Sequence, residues 1–324
     1  MKTNKPICTA ASEQAFRCRI PLEDARQLFL VDGTVQDAAA PLDFRLADGE
    51  RPAQMLQVVA VRSTEGPKAL SFSDSFRFGR GSEGRILLCA HAFAPERLKT
   101  EERVSILLEE NARAEFVVLQ DECDAAEHET FYDIRLSAGA ALDMVFFSLH
   151  GGVIANRLEV RLQGEGARCN IGGLYLADGT QRMDYGICLT HEVPHCSSSQ
   201  IFKGILDGSA RAHFDGLIRV VPGAQQTEAY QANHNLLASD TAKAYTRPQL
   251  EIYADDVKCS HGATIGRLNP DELFYMRSRG IPVAEARVLQ QMAFTGEVVE
   301  KISSPELREQ MRDLVEKRLR GEFL

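Results

Sequence analysis

Residues 206–214 read LDGSARAHF, a leucine followed by turn residues, a small alanine and an alternating strand. The same arrangement recurs as Leu108-EENARAEF, Leu136-SAGAALDM, Leu162-QGEGARCN and Leu237-ASDTAKAY. Alternation with a period of two is typical of a half-buried strand, because successive side chains of a strand point to opposite faces. One unit of strand, turn and strand is therefore reused through much of the chain.

The spacing of the aligned leucines favours a β-helix. The intervals are 28, 26, 44 and 31 residues, and we interpret the interval of 44 as two shorter units. Repeats in this range are typical of solenoid coils. Gly and Asn suit the tight corners at which a coil changes direction. The predicted corner residues are Asn111, Gly139, Gly164, Gly166 and Gly208. A β-sandwich, which also has regularly recurring turns, is the alternative.

Helix signals begin after residue 268. Asn269 and Pro270 form a helix start, with Asn as the N-cap and Pro at the first helical position. Gly280 and Pro282 are expected to end that helix. A second helix is predicted over 283–295, and a third begins at Ser304. The predicted apolar faces are Val283, Ala286, Leu289, Gln290 and Ala293 in the second helix, and Leu307, Met311, Leu314 and Leu319 in the third. We therefore divide the chain into an N-terminal segment (1–39), a β-helix core (40–268) and a C-terminal helical domain (269–324).

Composition excludes several classes of partner. The 324 residues carry a net charge of -9, so nothing attracts the whole chain to nucleic acid or anionic lipid. The N-terminal residues lack the apolar core of a signal peptide, and no run approaches a membrane span. The eight cysteines contain no CxxC pair and are expected to be reduced thiols. A cytoplasmic protein that binds neither nucleic acid nor membrane is the expectation.

Residues 250–268, LEIYADDVKCSHGATIGRL, hold the densest set of reactive groups. In a strand, Cys259 and His261 project to the same side. A thiolate and an imidazole together suit iron, zinc or copper. Two ligands do not complete a site that needs four donors, so a second chain or other residues must supply the rest. A packed thiol and a hydrogen-bonded histidine are the structural alternative.

A second candidate metal group is His191, His195 and Cys196, which together with Cys259 would make an independent zinc-binding structural protein. Pro194 opposes a regular helix there. The chain has no GxxxxGK[ST] phosphate loop, no GxSxG nucleophile elbow and no HExxH helix. A β-helical carbohydrate-active enzyme, with acids lining a groove, is the other alternative.

Residues 253–282, YADDVKCSHGATIGRLNPDELFYMRSRGIP, resemble the C-terminal signature of the SufB/SufD family. The SHGAT core is closer to SufD-type than to SufB-type chains. Residues 203–220, KGILDGSARAHFDGLIRV, resemble a recurrent coil of that family, and residues 224–252 resemble its Q-T-A-Q-N-LLLS segment. The resemblance covers most of residues 130–302.

The resemblance implies a mainly β protein: a right-handed parallel β-helix followed by a C-terminal helical domain. It implies a non-catalytic scaffold subunit for iron–sulfur cluster assembly, paired with a SufB-like chain through the β-helices. A SufC-like ATPase is expected to dock on the C-terminal helices, for which Val283, Arg287 and Gln291 are candidates. The family's implicated histidine falls on His261, beside Cys259, so both are candidate ligands for a transient cluster. An isolated chain would be free to form a homodimer. The N-terminal region is shorter than is usual in this family.

Overall fold

The computed structural model describes residues 18–35, 40–62, 68–92 and 97–322. These residues form eighteen strands and then three helices. The strands are β1 (Arg26–Val31), β2 (Thr34–Val35), β3 (Asp43–Leu46), β4 (Leu56–Arg62), β5 (Ala69–Phe78), β6 (Glu83–Ala92), β7 (Leu98–Leu108), β8 (Arg113–Asp121), β9 (Ala126–Leu136), β10 (Ala141–His150), β11 (Val153–Leu162), β12 (Arg168–Ala177), β13 (Arg182–His191), β14 (Ser197–Leu206), β15 (Arg211–Val220), β16 (Thr227–Leu237), β17 (Lys243–Ile252) and β18 (Val257–Arg267). The helices are α1 (Pro270–Ser278), α2 (Val283–Val299) and α3 (Pro305–Leu319).

The strands wind into a parallel β-solenoid of about eight turns, so the predicted β-helix is confirmed. One sheet has ten strands: the even-numbered strands from β4 to β18, followed by β1 and β2 at its end. The odd-numbered strands from β3 to β17 form a second sheet of eight. From β3 onwards, each strand pairs with the one two positions along the chain, because each coil contributes one strand to each sheet. The hairpin between β1 and β2 is antiparallel.

One detail of the predicted repeat is wrong. Leu162 ends β11 in the eight-stranded sheet, whereas Leu206 ends β14 in the ten-stranded sheet. Leu162 pairs with His191, which lies 29 residues further along. The interval of 44 is therefore about one and a half coils, not two shorter units. The same leucine pattern ends strands in both sheets. An alignment of the leucines alone therefore passes from one sheet to the other between Leu162 and Leu206.

The corners depend on two different properties of glycine and asparagine. Asn111 and Gly139, at equivalent corners, have φ angles of 58° and 63°, in the left-handed region. Gly164 is needed for close approach instead, because a Cβ there would lie 1.8 Å from the backbone N of Ala138. The alanines that follow five of the corners are all buried: Ala112, Ala140, Ala167, Ala210 and Ala242. Small side chains at these positions let successive coils stack.

The ten-stranded sheet is covered on both faces. Its inner face meets the eight-stranded sheet in the main apolar core, which includes Phe146, Tyr185 and Phe202. Its outer face packs against α2, α3 and the extended residues 18–22 in a second apolar cluster. A strand covered on both faces needs apolar residues at nearly every position, and β12 is accordingly buried along most of its length.

The helical end begins and ends close to the prediction. Asn269 and Ser304 cap α1 and α3 with their side chains, as expected, and α2 extends four residues beyond the predicted end. None of the described helices combines the length and the apolar character that a bilayer crossing requires. The predicted N-terminal segment 1–39 lies largely outside the described residues, although β1 and β2 within it join the ten-stranded sheet.

Charged groups are buried inside the solenoid on and beside strands β7 to β9. His128 Nδ1 lies 2.5 Å from Glu122 Oε1, and its Nε2 lies 3.1 Å from Glu102 Oε2. Burial alone would lower the pKa of His128, but the two carboxylates outweigh that effect and raise this pKa to about 10. His128 is therefore an imidazolium held between two carboxylates.

This arrangement predicts a loss of stability at alkaline pH. A pKa raised on folding stabilises the folded state fully below the unfolded pKa, and the gain is lost as the pH rises through the folded pKa. From pH 7 to 9 the free energy of unfolding should fall by up to about 1.4 kcal/mol per pH unit on account of His128. Urea unfolding of the wild type and of His128→Gln at several pH values should show a shallower slope for the variant. Equal slopes would contradict the assignment.

Candidate functional site

Strand β18 is the last strand of the ten-stranded sheet. It pairs in parallel with β16, from Thr227↔Val257 to Leu237↔Arg267, and no other strand of the described chain lies on its far side. Strand β17 ends the eight-stranded sheet in the same way. The last coil therefore presents unpaired backbone N–H and C=O groups, which can pair with a strand of another chain.

Cys259 and His261 both face the inner side of this last coil. Cys259 is in register with Ala229, which is buried in an apolar cluster that Cys259 also contacts. His261 is in register with Gln231, and a Cβ on Gly216 of the opposite sheet would lie 2.4 Å from the Gln231 side chain. The two candidate ligands thus lie on one face, two residues apart along an extended strand. In the earlier coils this face is the interior.

Cys259 and His261 differ in exposure. Cys259 is half-buried, and burial raises the pKa of its thiol. His261 is exposed, because no further coil covers it within the described chain. Metal binding to Cys259 would therefore release a proton. The imidazole, in contrast, is directly accessible to a ligand from solvent or from a second chain.

An open groove of about 350 Å³ adjoins His261. Strands β14, β16 and β18 form its floor, and Glu297 and Lys301 near the end of α2 form its wall. Glu297 Oε2 lies 2.7 Å from Lys203 Nζ of β14, so Glu297 is held in an ion pair beside this groove. The groove lies on the helix-facing side of β18, whereas the His261 side chain faces the inner side of the coil.

The exposed hydrophobic side chains are concentrated in the C-terminal part of the described chain. All of the large hydrophobic side chains that the described chain exposes lie beyond residue 229. They are Tyr230, Tyr245, Ile252, Tyr253, Ile265, Phe274, Tyr275, Val283 and Leu289. Tyr245 and Ile252 lie on β17 and Ile265 lies on β18, the two strands that end the sheets. Exposed hydrophobic side chains beside an open strand edge commonly mark a site of protein association.

The candidate docking residues lie on α2. Val283 and Arg287 are exposed and Gln291 is half-buried. The helix buries Ala286 and Val288 but exposes 41% of Leu289. The predicted apolar face is therefore wrong at Val283, Leu289 and Ala293, which are exposed. The buried residues of the helix are Ala286, Val288, Thr295, Val298 and Val299. The exposed stripe is itself partly apolar.

The second candidate metal group is not assembled. His191 is buried with its Nε2 2.9 Å from Ser198 Oγ, and burial lowers its pKa to about 4. Cys196 donates to the carbonyl oxygen of Gly164, while His195 lies at the surface with a φ of 59°. Among the described residues, the group of ligand atoms close enough to hold a metal does not include any of these three. The independent zinc protein built on them gains no support.

The carbohydrate-active alternative also gains no support. Acidic side chains do line the outer face of the eight-stranded sheet over successive coils. Asp184 Oδ1, however, lies 2.9 Å from His213 Nδ1, and Asp215 is ion-paired with Arg247. The guanidinium of Arg247 lowers the pKa of the Asp215 carboxyl. These carboxylates are held in ion pairs across neighbouring coils, which is unlike a pair poised as general acid and base.

Sequence reasoning missed one group of ligand-type side chains. Cys89 and His91 lie two residues apart on β6, and Cys18 approaches them from 71 residues earlier in the chain. The spacing Cys89-Ala-His91 repeats the period of two that singled out Cys259 and His261. That spacing was the available signal, but the third member could not be found without the fold.

Comparison with known proteins adds the family. Residues 75–294 match the sequence profile described as SUF system FeS cluster assembly, SufBD core domain. The chain is 32% identical over 276 residues to the iron–sulfur cluster assembly protein SufD of Escherichia coli, covering 84% of this chain and 65% of that protein. It is 33% identical over 226 residues to the iron–sulfur cluster assembly SufBD family protein Mb1497 of Mycobacterium bovis, covering 67% of this chain and 57% of that protein.

A plant relative is matched over a smaller share of its own length. The chain is 33% identical over 213 residues to the chloroplastic protein ABCI7 of Arabidopsis thaliana, covering 65% of this chain and 45% of that protein. The chain thus spans less than two thirds of the length of each of these relatives. The profile match spans more than half of the chain, including β18 and most of α2. The chain therefore belongs to the SufBD family of iron–sulfur cluster assembly proteins.

Proposed function

We propose that this chain is a SufD-like scaffold subunit that supports iron–sulfur cluster assembly in the cytoplasm and performs no catalysis of its own. The observation that carries the proposal is the open last coil, in which Cys259 and His261 share one face of β18, the strand with a free edge. A thiolate and an imidazole are suitable iron ligands, but they are fewer than the four protein ligands of a typical cluster. The cluster is cargo that is held transiently and completed by a partner.

A SufB-like subunit is the proposed partner at the last coil. An incoming strand would pair with the free edge of β18 and cover Ile265, which is 48% exposed. Backbone pairing supplies affinity in such strand additions, and side chains supply specificity. The inner face of the last coil would then be enclosed, so Cys259 and His261 would meet ligands contributed by the partner. An isolated chain would have the same free edge, which favours a homodimer.

Reconstitution tests the proposal. The chain is coexpressed with a SufB-like subunit and a SufC-like ATPase, and the products are separated by size. We expect one complex that contains all three chains and assembles clusters, measured as iron and acid-labile sulfide. A chain that stays apart from both partners under these conditions would overturn the proposed function.

The ATPase is proposed to dock on α2 near Val283, Arg287 and Gln291. Arg287 is exposed on the helix surface, and the adjoining α1 exposes Phe274 and Tyr275. Charge reversal at an interface juxtaposes like charges or leaves a charge unpaired. The double variant Arg287→Glu, Gln291→Glu should therefore weaken binding of the SufC-like ATPase by about tenfold or more, measured by calorimetry.

A matched control lies on the neighbouring helix. Lys317 is exposed on α3, where it pairs with Asp313, and Lys317→Glu also turns a positive charge into a negative one on a helix other than the proposed docking helix. Circular dichroism should show all variants folded, because the changed side chains are mostly exposed. Wild-type affinity in the double variant would place the ATPase elsewhere on this chain.

A further inference from the structure

Cys18, Cys89 and His91 form a buried cluster outside the site described above. One ligand atom from each, two sulfurs and a ring nitrogen, lie within 4.8 Å of one another. Cys89 and His91 project from the outer face of β6, and Cys18 begins the extended residues 18–22 that cover this part of the sheet. All three side chains are buried, Cys18 with 7% exposure and the other two with 1%. The cluster therefore joins the start of the described chain to the solenoid.

The orientation of His91 suits a metal ligand. Its Nδ1 lies 3.3 Å from the carbonyl oxygen of Asp121, which can only accept, so Nδ1 donates. The other nitrogen, Nε2, then carries the lone pair of the neutral ring and faces Cys18 Sγ at 3.4 Å. Metal-binding histidines commonly donate their second nitrogen to a carbonyl or carboxylate in this way, which fixes the ring and the tautomer.

The charges beside the cluster support the same orientation. The carboxylate of Asp121 lies 3.8 Å from His91 Nδ1 and is also held by Arg19 Nε at 2.8 Å. Residue 19 directly follows Cys18, so this ion pair anchors the chain segment that carries the first sulfur. The segment, the ring and the strand are thus positioned by contacts independent of the sulfurs.

The distances fit a tetrahedral ion. With zinc–sulfur and zinc–nitrogen bonds of about 2.3 and 2.0 Å, a sulfur and a nitrogen on one zinc are about 3.6 Å apart, and two sulfurs about 3.8 Å. The 3.4 Å between Cys18 Sγ and His91 Nε2 is close to the first value. Both thiols would give up their protons on binding a metal ion.

We propose that Cys18, Cys89 and His91 bind one zinc-class divalent ion, with a small molecule such as water in the fourth position. The ion would clamp residues 18–22 onto the outer face of the ten-stranded sheet. It would be a structural site, separate from the cluster cargo at the last coil. Two thiolates and an imidazole favour zinc over magnesium or calcium, which prefer oxygen ligands.

Cobalt titration of the reduced full-length chain tests the site. Tetrahedral Co²⁺ with thiolate ligands should give visible d–d bands and a near-ultraviolet charge-transfer band at one equivalent, and added Zn²⁺ should remove them. Cys18→Ser and Cys89→Ser should each weaken binding by about 100-fold or more, since loss of even an outer partner of a metal ligand costs about 10- to 100-fold. Cys169→Ser changes another buried cysteine and should leave the spectrum unchanged.

Thermal unfolding gives a second readout that a folding defect does not obscure. Zinc should raise the Tm of the wild type and of His261→Ala, because an ion that binds only the folded state stabilises it. Zinc should not raise the Tm of Cys18→Ser, because this variant lacks one of the three proposed ligands. Three results would overturn the proposal: no cobalt spectrum in the wild type, an unchanged spectrum in both cysteine variants, or a Cys18–Cys89 disulfide that reduction opens without creating metal affinity.

Discussion

Replacing His261 by alanine should lower the cluster content of the reconstituted complex by about tenfold or more, while leaving the chain folded and bound to its partners. His261 is exposed on the inner face of the last coil, so little packing is lost. The cluster, however, loses one of the two donors that this chain supplies. An imidazole among thiolates also changes the potential and lability of a cluster, so any cluster that remains should behave differently.

The comparison variants for this experiment change residues on β16 and β18. His234→Ala removes a histidine from the outer face of β16, where its Nδ1 lies 2.8 Å from Thr264 Oγ1, and should retain wild-type loading. Cys259→Ser should show a smaller loss than His261→Ala, because the half-buried thiol also packs against apolar neighbours. Iron and sulfide analysis measures the loading. Wild-type values in His261→Ala would return this histidine to a structural role.

Replacing Ile265 by glutamate should weaken association with the SufB-like subunit by about 100-fold or more, because a carboxylate would be buried without a partner in the proposed interface. The isolated chain should tolerate the change, since Ile265 is 48% exposed on a strand with one free edge. Calorimetry or sizing of the mixed subunits measures the loss.

A charge change elsewhere on the solenoid provides the comparison. Arg113 is exposed at the start of β8, in the middle of the ten-stranded sheet, and Arg113→Glu should leave association unchanged. The two variants should have the same circular dichroism and similar Tm values. Wild-type association of Ile265→Glu would remove the last coil from the interface.

The sequence was informative where local patterns determine structure. Leucine at strand ends and alanine after corners follow from the stacking of coils, and Asn269 and Ser304 act as caps through their own side chains. The shared face of Cys259 and His261 follows from the strand period alone. These features depend on residues close together in the chain.

Features set by distant contacts were harder to predict. The ten-stranded sheet is covered on both faces, so strands such as β12 lose the alternation that marks a strand, and the leucine repeat shifts between sheets unnoticed. In α2 both the buried side and the exposed side contain apolar residues. Only the packing of the helix against the solenoid shows that Val288 is buried and Leu289 exposed. The cluster of Cys18 with Cys89 and His91 exists only because residues 18–22 return to the sheet.

Amide hydrogen exchange of β18 tests the central claim most directly. At a dilution at which sizing shows the isolated chain to be a monomer, the unpaired edge of residues 257–267 should leave about half of these amides to exchange quickly, because a parallel strand directs its N–H groups alternately to its two sides. Adding the SufB-like subunit should slow exchange of these amides by about tenfold or more, whereas β11 in the middle of the solenoid should not change. Unchanged exchange in 257–267, together with new protection elsewhere, would contradict the interface at the last coil.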